Sequence, residues 1–294
     1  MGIFKYDDFS SPQDVNDDPH RRECIFCQTL MHNVNIDNIF GPIKYSLILE
    51  VQEETKKIYK ELHNIEDGYL NLQLDTIDEY QWLSYCKSCG WWKVMKQVDV
   101  CAEIWQIWDM FFGICGTLKS LDINDAHQPI DEISKYLVAK YSGRFVVNPK
   151  LFEDVVASVF RNLGYHTRVT GYSNDGGIDV ILAGGNDLIG IQVKRYSNKI
   201  KVEQIRAFAG ALLLSGYKKG IFVTTSDFQP AAVKAAKEYS AKTLPILLMN
   251  ADRFYDALKI SQKPEIDLES IIESVKNKRP QLIEYGMSYP RNSL

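Results

Sequence analysis

The chain has 294 residues, 45% of them hydrophobic and 24% charged, with a formal net charge of −4. That length exceeds one ordinary domain and predicts two, and the composition is globular, which excludes a disordered or collagen-like chain. Residues 1–20 are polar and acidic, unlike a secretory leader, and Tyr6 stands where a myristoylation signal needs Ser or Thr. The most apolar run, Cys101 to Cys115, contains Glu103 and Asp109 and is shorter than the roughly 20 apolar residues of a membrane span. It is expected to be a buried helix, in a soluble cytoplasmic protein.

The mean charge hides a split. Residues 1–120 hold 11 Lys+Arg against 19 Asp+Glu, whereas residues 146–260 hold 15 against 10. A basic block in an acidic chain is either an electrostatic footprint for phosphate or ordinary surface variation.

In chain order, residues 1–20 form an acidic lead-in. Residues 1–120 carry all six cysteines and all five tryptophans and are read as an N-terminal domain. Cys24 and Cys27, and Cys86 and Cys89, make two CxxC pairs with 58 residues between them. Each pair can wrap two thiolates around one ion, so a structural Zn²⁺ site is expected. A disulfide suits a reducing compartment poorly, and a redox CxxC lacks its usual context. Cys101 and Cys115 are read as inert buried thiols. Trp82, Trp91, Trp92, Trp105 and Trp108 serve either the core of this lobe or nucleotide stacking. The lobe is expected to set specificity or regulation, through a defence-system partner, an activating ligand or oligomerisation.

Residues 121–146 read as a helical connector, with a helix near Ile130–Tyr141. From 147 the texture alternates between helix and strand. Asn148 and Pro149 open a helix whose apolar stripe is Phe152, Val155, Val156, Val159, Phe160 and Leu163. Strands follow at Tyr165–Thr170, Ile178–Ala183 and Leu188–Lys194, then a helix at Val202–Ser215. A strand at Gly220–Thr225, a helix at Phe228–Tyr239, a strand at Leu244–Met249 and a helix at Ala251–Leu258 complete the pattern. The fold class is therefore α/β, a mixed central sheet flanked by helices, at 147–260. Residues 261–294 are expected to add a helix at Leu268–Val275 and a frayed tail.

Gly184-Gly185-Asn186-Asp187 reads as a four-residue hairpin loop. Ala183 then pairs with Leu188, and the same register sets Asp179 opposite Gln192, with Cβ atoms roughly 5 Å apart. Lys194 shares that face, Gly177 lies opposite it, and Ile191 and Val193 face apolar packing. A bulge at Gly176-Gly177 would change this register. A carboxylate, an amide oxygen and an ammonium beside a gap suit phosphodiester hydrolysis with Mg²⁺ or Mn²⁺. Asp179, Gln192 and the Val193 backbone carbonyl would hold the ion, and Lys194 would stabilise the transition state. Gln192 is a neutral ligand, so Glu153, at the margin of the first helix's stripe, is expected to compensate. The competing reading is a simple cross-strand Asp–Lys ion pair.

The run FEDVVASVFRNLGYHTRVTGYSNDGGIDVILAGGNDLIGIQVKRY, continuing through VEQIRAFAGALLLSGYKKGIFVTTSDFQPAAVKAAKE, resembles the catalytic domain of Mrr-like restriction endonucleases, a branch of the PD-(D/E)xK nuclease superfamily. The resemblance covers roughly 110 of 294 residues and no core motif residue is missing. It implies that Asp179 binds metal, that Gln192 replaces the usual Glu, that Lys194 is catalytic and that Glu153 is the helix-borne acid. Asp175 and Gln204 fall on accessory polar positions. Arg195, Lys199 and Lys201 are expected to contact DNA. The implied activity is Mg²⁺-dependent endonucleolytic cleavage of DNA in restriction or anti-phage defence, by at least a homodimer. The alternatives are a branched-DNA or single-strand nuclease, and a DNA-binding module without activity.

Overall fold

The computed structural model describes residues 3–6, 12, 17–37, 39–64, 74–102, 106–171, 176–184, 187–242, 244–262 and 266–288. The chain divides into two compact units, one built on Ser120–Glu265, the other on Phe4–Cys86, Gly90–Lys119 and Ile266–Leu294. Among the described residues no helix is long and apolar enough to cross a membrane.

The N-terminal part of the second unit contributes β1 (Phe4–Lys5), β2 (His32–Asn35), α1 (Tyr45–His63), β3 (Leu74–Tyr85), β4 (Trp92–Ala102), β5 (Gln106–Cys115) and β6 (Thr117–Leu118). β2, β3, β4 and β5 are neighbours in one antiparallel sheet. This corrects the expectation of a helix over Cys101–Cys115: the described residues of the run are the end of β4 and the whole of β5. Phe111, Phe112, Ile114 and Cys115 are all buried, so consecutive apolar residues on both faces of the strand hid its period of two. Trp91 and Trp92 are core residues, and Trp91 Nε1 donates to Gly116 O at 2.9 Å. Trp105 lies outside the described residues. β4 also carries two buried lysines. Lys93 Nζ meets Asp17 Oδ2 at 2.5 Å, and Lys96 Nζ meets Gly41 O and Glu79 Oε2, each at 2.8 Å. Burial pushes the Asp17 carboxyl above its usual range even against the Lys93 hydrogen bond.

The other unit begins with α2 (Ile130–Ala139) and a short 3₁₀ segment at Tyr141–Phe145, where the sequence had suggested one continuous helix. It continues with α3 (Pro149–Asn162), β7 (His166–Val169), β8 (Val180–Gly184), β9 (Asp187–Lys194), α4 (Val202–Leu214), β10 (Lys219–Thr224), α5 (Pro230–Ala241), β11 (Ile246–Met249) and α6 (Ala251–Ser261). The sheet order is β11-β10-β9-β8-β7, with β9, β10 and β11 parallel and β7, β8 and β9 antiparallel. This is the expected mixed α/β sheet with helical crossovers. Asn148 caps α3, its side chain accepting from the Lys150 and Leu151 N–H groups at 2.9 and 3.4 Å. Leu151, Phe152, Val155, Val156, Val159 and Phe160 are buried on this helix, whereas Leu163 falls past its end and is 42% exposed.

Helices α4 and α5 share one core cluster with Ile181, Phe222 and Ile246 of the sheet. The approach of α4 depends on a pair of missing side chains. Gly190 of β9 and Gly220 of β10 are direct neighbours across the ladder. A methyl group would lie 2.7 Å from Leu212 at Gly190, and 2.4 Å from Leu212 and 2.8 Å from Phe208 at Gly220. The two glycines make the floor on which α4 sits.

After this unit come α7 (Leu268–Val275), as expected, and β12 (Gln281–Ser288). β12 pairs antiparallel with β5, from Gln281↔Gly113 to Ser288↔Ile107, with a bulge at Leu282/Glu284. The expected frayed tail is therefore corrected, through residue 288, to the edge strand of the first sheet.

The glycine floor predicts that Gly220→Ala overpacks the α4 interface. Its urea midpoint should fall by an amount equivalent to about 1–3 kcal/mol; an unchanged midpoint would show that Leu212 and Phe208 can move aside.

Candidate functional site

β8 and β9 pair with Ala183↔Leu188 and Val180↔Ile191, the register read from the sequence. Gly184 pairs with Asp187 as well, so the expected four-residue loop is one pair shorter. The ladder does not continue regularly to Asp179. The Asp179 N–H donates to Ile191 O at 2.8 Å, one residue short of the Gln192 that register alone would supply. Its side chain takes over: Oδ2 accepts the Val193 N–H at 2.6 Å. On its other side Asp179 keeps register, its carbonyl accepting from Thr170 N and Thr170 Oγ1, both at 2.9 Å. The direct opposition of Asp179 and Gln192 is thus replaced by a bulge-like offset. Its cause is the preceding pair, Gly176 (φ 58°) and Gly177 (φ 86°), both in the left-handed region that favours glycine.

Asp179 and Gln192 are both buried, at 7% and 8% exposure, which is unusual for polar side chains at a strand end. Gly177, expected opposite Lys194, lies against Gln192 instead: a methyl there would be 3.3 Å from Nε2. Lys194 is half-buried at the end of β9, two residues beyond Gln192, while Ile191 and Val193 are buried as expected. Glu153, in the first turns of α3, comes close enough to feel Asp179. Burial first, and then the Asp179 charge, push its carboxyl above the usual range, against a hydrogen bond from Lys150 that pulls it down.

Lys150 and Thr170 escaped the sequence reading. Lys150 Nζ binds Glu153 Oε2 at 2.8 Å and Thr170 O at 3.0 Å, tying α3 to β7 beside Asp179. The i,i+3 spacing of Lys150 and Glu153 was the available signal. Gln204 has a local role: its Oε1 accepts from the Lys201 N–H at 2.9 Å at the start of α4. Asp175 lies outside the described residues. Arg195, Lys199 and Lys201 line one open cleft just past Lys194.

The four CxxC sulfurs converge. Cys24, Cys27, Cys86 and Cys89 are buried, and their Sγ atoms lie within 4.8 Å of one another. None of the four is in a disulfide. The two knuckles match: the Gln28 N–H donates to Cys24 O at 2.8 Å and the Gly90 N–H to Cys86 O at 2.9 Å. Both turning residues are left-handed, Gly90 at φ 85° and Gln28 at φ 59°. Cys115 is a separate buried thiol.

Residues 146–258 match the Mrr catalytic domain, a family described as restriction endonuclease. Over these residues, which hold the β7–β11 sheet and its helices, the chain is similar to that family. Over 115 residues the chain is 30% identical to the type IV methyl-directed restriction enzyme EcoKMrr of Escherichia coli (strain K12), across 36% of each protein. The chain thus matches about a third of the length of that curated relative.

The Glu153 environment gives a sign that can be measured. Removing the neighbouring charge with Asp179→Asn should lower the Glu153 pKa, read from its carboxyl ¹³C shift across a pH titration. An unchanged or higher value would mean the two carboxyls do not interact.

Proposed function

We propose that this protein is a divalent-metal-dependent DNA endonuclease of the restriction type, working in defence against foreign DNA. The observation that carries the proposal is the buried Asp179 carboxylate, fixed on the Val193 N–H, with the Glu153 carboxyl pushed up by burial and then by the Asp179 charge, in a segment that matches a restriction endonuclease family. Two carboxyls held together in a half-buried place repel each other, and a divalent cation is the group that relieves such a pair. The donor set thus fits Mg²⁺ or Mn²⁺, with Asp179, Glu153, Gln192 and the Val193 carbonyl as its holders. When bound, the ion supplies Lewis acidity toward a phosphoryl oxygen and toward water.

The chain's own groups do the rest. The hydrogen bond from Val193 fixes the Asp179 carboxylate, so little reorganisation is needed when a phosphate arrives. Lys150 positions Glu153 from the preceding turn of α3. Lys194 brings a positive charge to the scissile phosphate, where it orients the attacking water and offsets charge on the phosphoryl oxygens as one P–O bond forms and another breaks. The excess of basic residues in 146–260 favours the approach of a polyanion. One such site cuts one strand, so cleavage of both strands calls for a second copy of the chain.

The cysteine cluster is assigned to structural Zn²⁺. At Zn–S distances of about 2.3 Å a tetrahedral site has sulfur–sulfur edges of roughly 3.8 Å, and the Cys27 and Cys86 sulfurs lie 3.4 Å apart. Four thiolates leave no open position, which suits a staple and not a catalyst.

Asp179→Ala and Lys194→Ala should each reduce Mg²⁺-dependent nicking of supercoiled plasmid by about a hundredfold or more with the folded circular-dichroism spectrum retained; full activity in either variant would remove the assignment. Elemental analysis of the purified chain should find one zinc per chain, lost in Cys86→Ser. A metal-free protein with the same melting curve would refute the staple.

A further inference from the structure

Beyond Lys194 the chain leaves β9 and forms one wall of an open cleft of about 430 Å³, lined by Phe145, Arg195, Tyr196, Lys199 and Lys201 among others. Two features set this cleft apart. Its aromatic rings are exposed, Phe145 at 38% and Tyr196 at 46%, where large apolar groups are ordinarily withdrawn. Its charged groups are mainly cations, and the acid paired with one of them, Asp227 with Lys199 at 3.3 Å, is exposed and binds weakly.

The walls are held in place without a ligand. The Arg144 guanidinium lies over the Tyr141 and Phe145 rings, at 4.5 and 4.1 Å from their centroids. Its Nε donates to Thr225 O at 3.1 Å and its Nη1 to Tyr141 O at 3.0 Å. Arg195 Nη1 donates to Phe145 O, joining the two sides. Thr225 Oγ1 donates to Tyr196 O at 2.8 Å, and Ser226 Oγ donates to Ser197 O at 3.1 Å. One donor is left over: Arg195 Nε is buried with no hydrogen-bond partner.

Exposed rings interleaved with cations are the recognition chemistry of an unpaired nucleotide: the rings stack on a base face and the cations track the phosphates. A base inside a duplex has no free face to offer. We propose that this cleft receives an unstacked nucleotide of the DNA strand being cut, its base against Tyr196 and Phe145 and its phosphates near Arg195, Lys199 and Lys201. The proposal rests on the reading that the protein acts on DNA, and it adds the state of the substrate: a strand unpaired or splayed next to the scissile bond. Lys194 and Arg195 are consecutive in the chain, which places the cleft beside the Asp179 site.

The test uses the full chain with Asp179→Ala, so that bound DNA is not cut, in Mg²⁺. Fluorescence anisotropy compares a short labelled single strand with the duplex of the same sequence. Adding Tyr196→Ala or Phe145→Ala should weaken single-strand binding about tenfold, since base–aromatic stacking is worth about 1–3 kcal/mol per base and 1.4 kcal/mol is a factor of ten. Duplex binding should change less than twofold, and Tyr196→Phe, which keeps the ring, should restore single-strand affinity. Equal losses on both DNAs, or no loss on the single strand, would overturn the cleft assignment alone. Absence of any DNA binding by the Asp179→Ala chain would overturn both the assignment and the reading beneath it.

Discussion

The hydrogen bond from the Val193 N–H to Asp179 Oδ2 is the constraint around which the candidate site is organised. At the end of the β8–β9 ladder a main-chain donor would ordinarily meet a main-chain carbonyl. Here the Gly176-Gly177 turn takes β8 out of register, and a carboxylate fills the vacancy. The side chain is thereby buried and fixed by the same bond. A charged acceptor makes this bond stronger than its neutral counterpart, which offsets part of the cost of placing a carboxylate at 7% exposure. Glu153, Lys150 and Thr170 then follow as a shell that ties α3 and β7 to the same point.

The glycine floor acts through α4. Gly190 and Gly220 let α4 approach the sheet closely enough for Leu212 and Phe208 to seal the core next to Gln192. Ala211 of the same helix lies near Gly177, so the helix that packs on the floor also closes over the glycine turn. Packing and site geometry are therefore not separable: a shift of α4 would disturb the turn that frees Asp179 from the ladder.

Much of the 147–260 unit was legible because its signals are local. Asn148 announced α3, alternation and the Gly184–Asp187 turn fixed the Ala183↔Leu188 register, and helical stripes separated the later strands. What was missed depends on contacts distant in sequence or on backbone dihedrals. The offset at Asp179 comes from two glycines whose positive φ values no spacing encodes. β5 is buried on both faces and so lacked alternation, and β12 finds its partner some 170 residues earlier in the chain. The buried Lys93 and Lys96 of β4 ran against the rule that lysines face solvent, because their partners Asp17, Gly41 and Glu79 are supplied by remote segments. Glu153 was placed from its position at the edge of a stripe, while Lys150, one turn earlier, was not singled out.

The proposed chemistry requires Asp179 and Glu153 together to hold a divalent cation. Titration of the zinc-loaded protein with Mn²⁺, followed by electron paramagnetic resonance of the free ion, tests it without reference to any substrate. One added Mn²⁺ site per chain is expected, lost in Asp179→Ala and weakened in Glu153→Gln. Mn²⁺ binding that is the same in wild type and Asp179→Ala would contradict it.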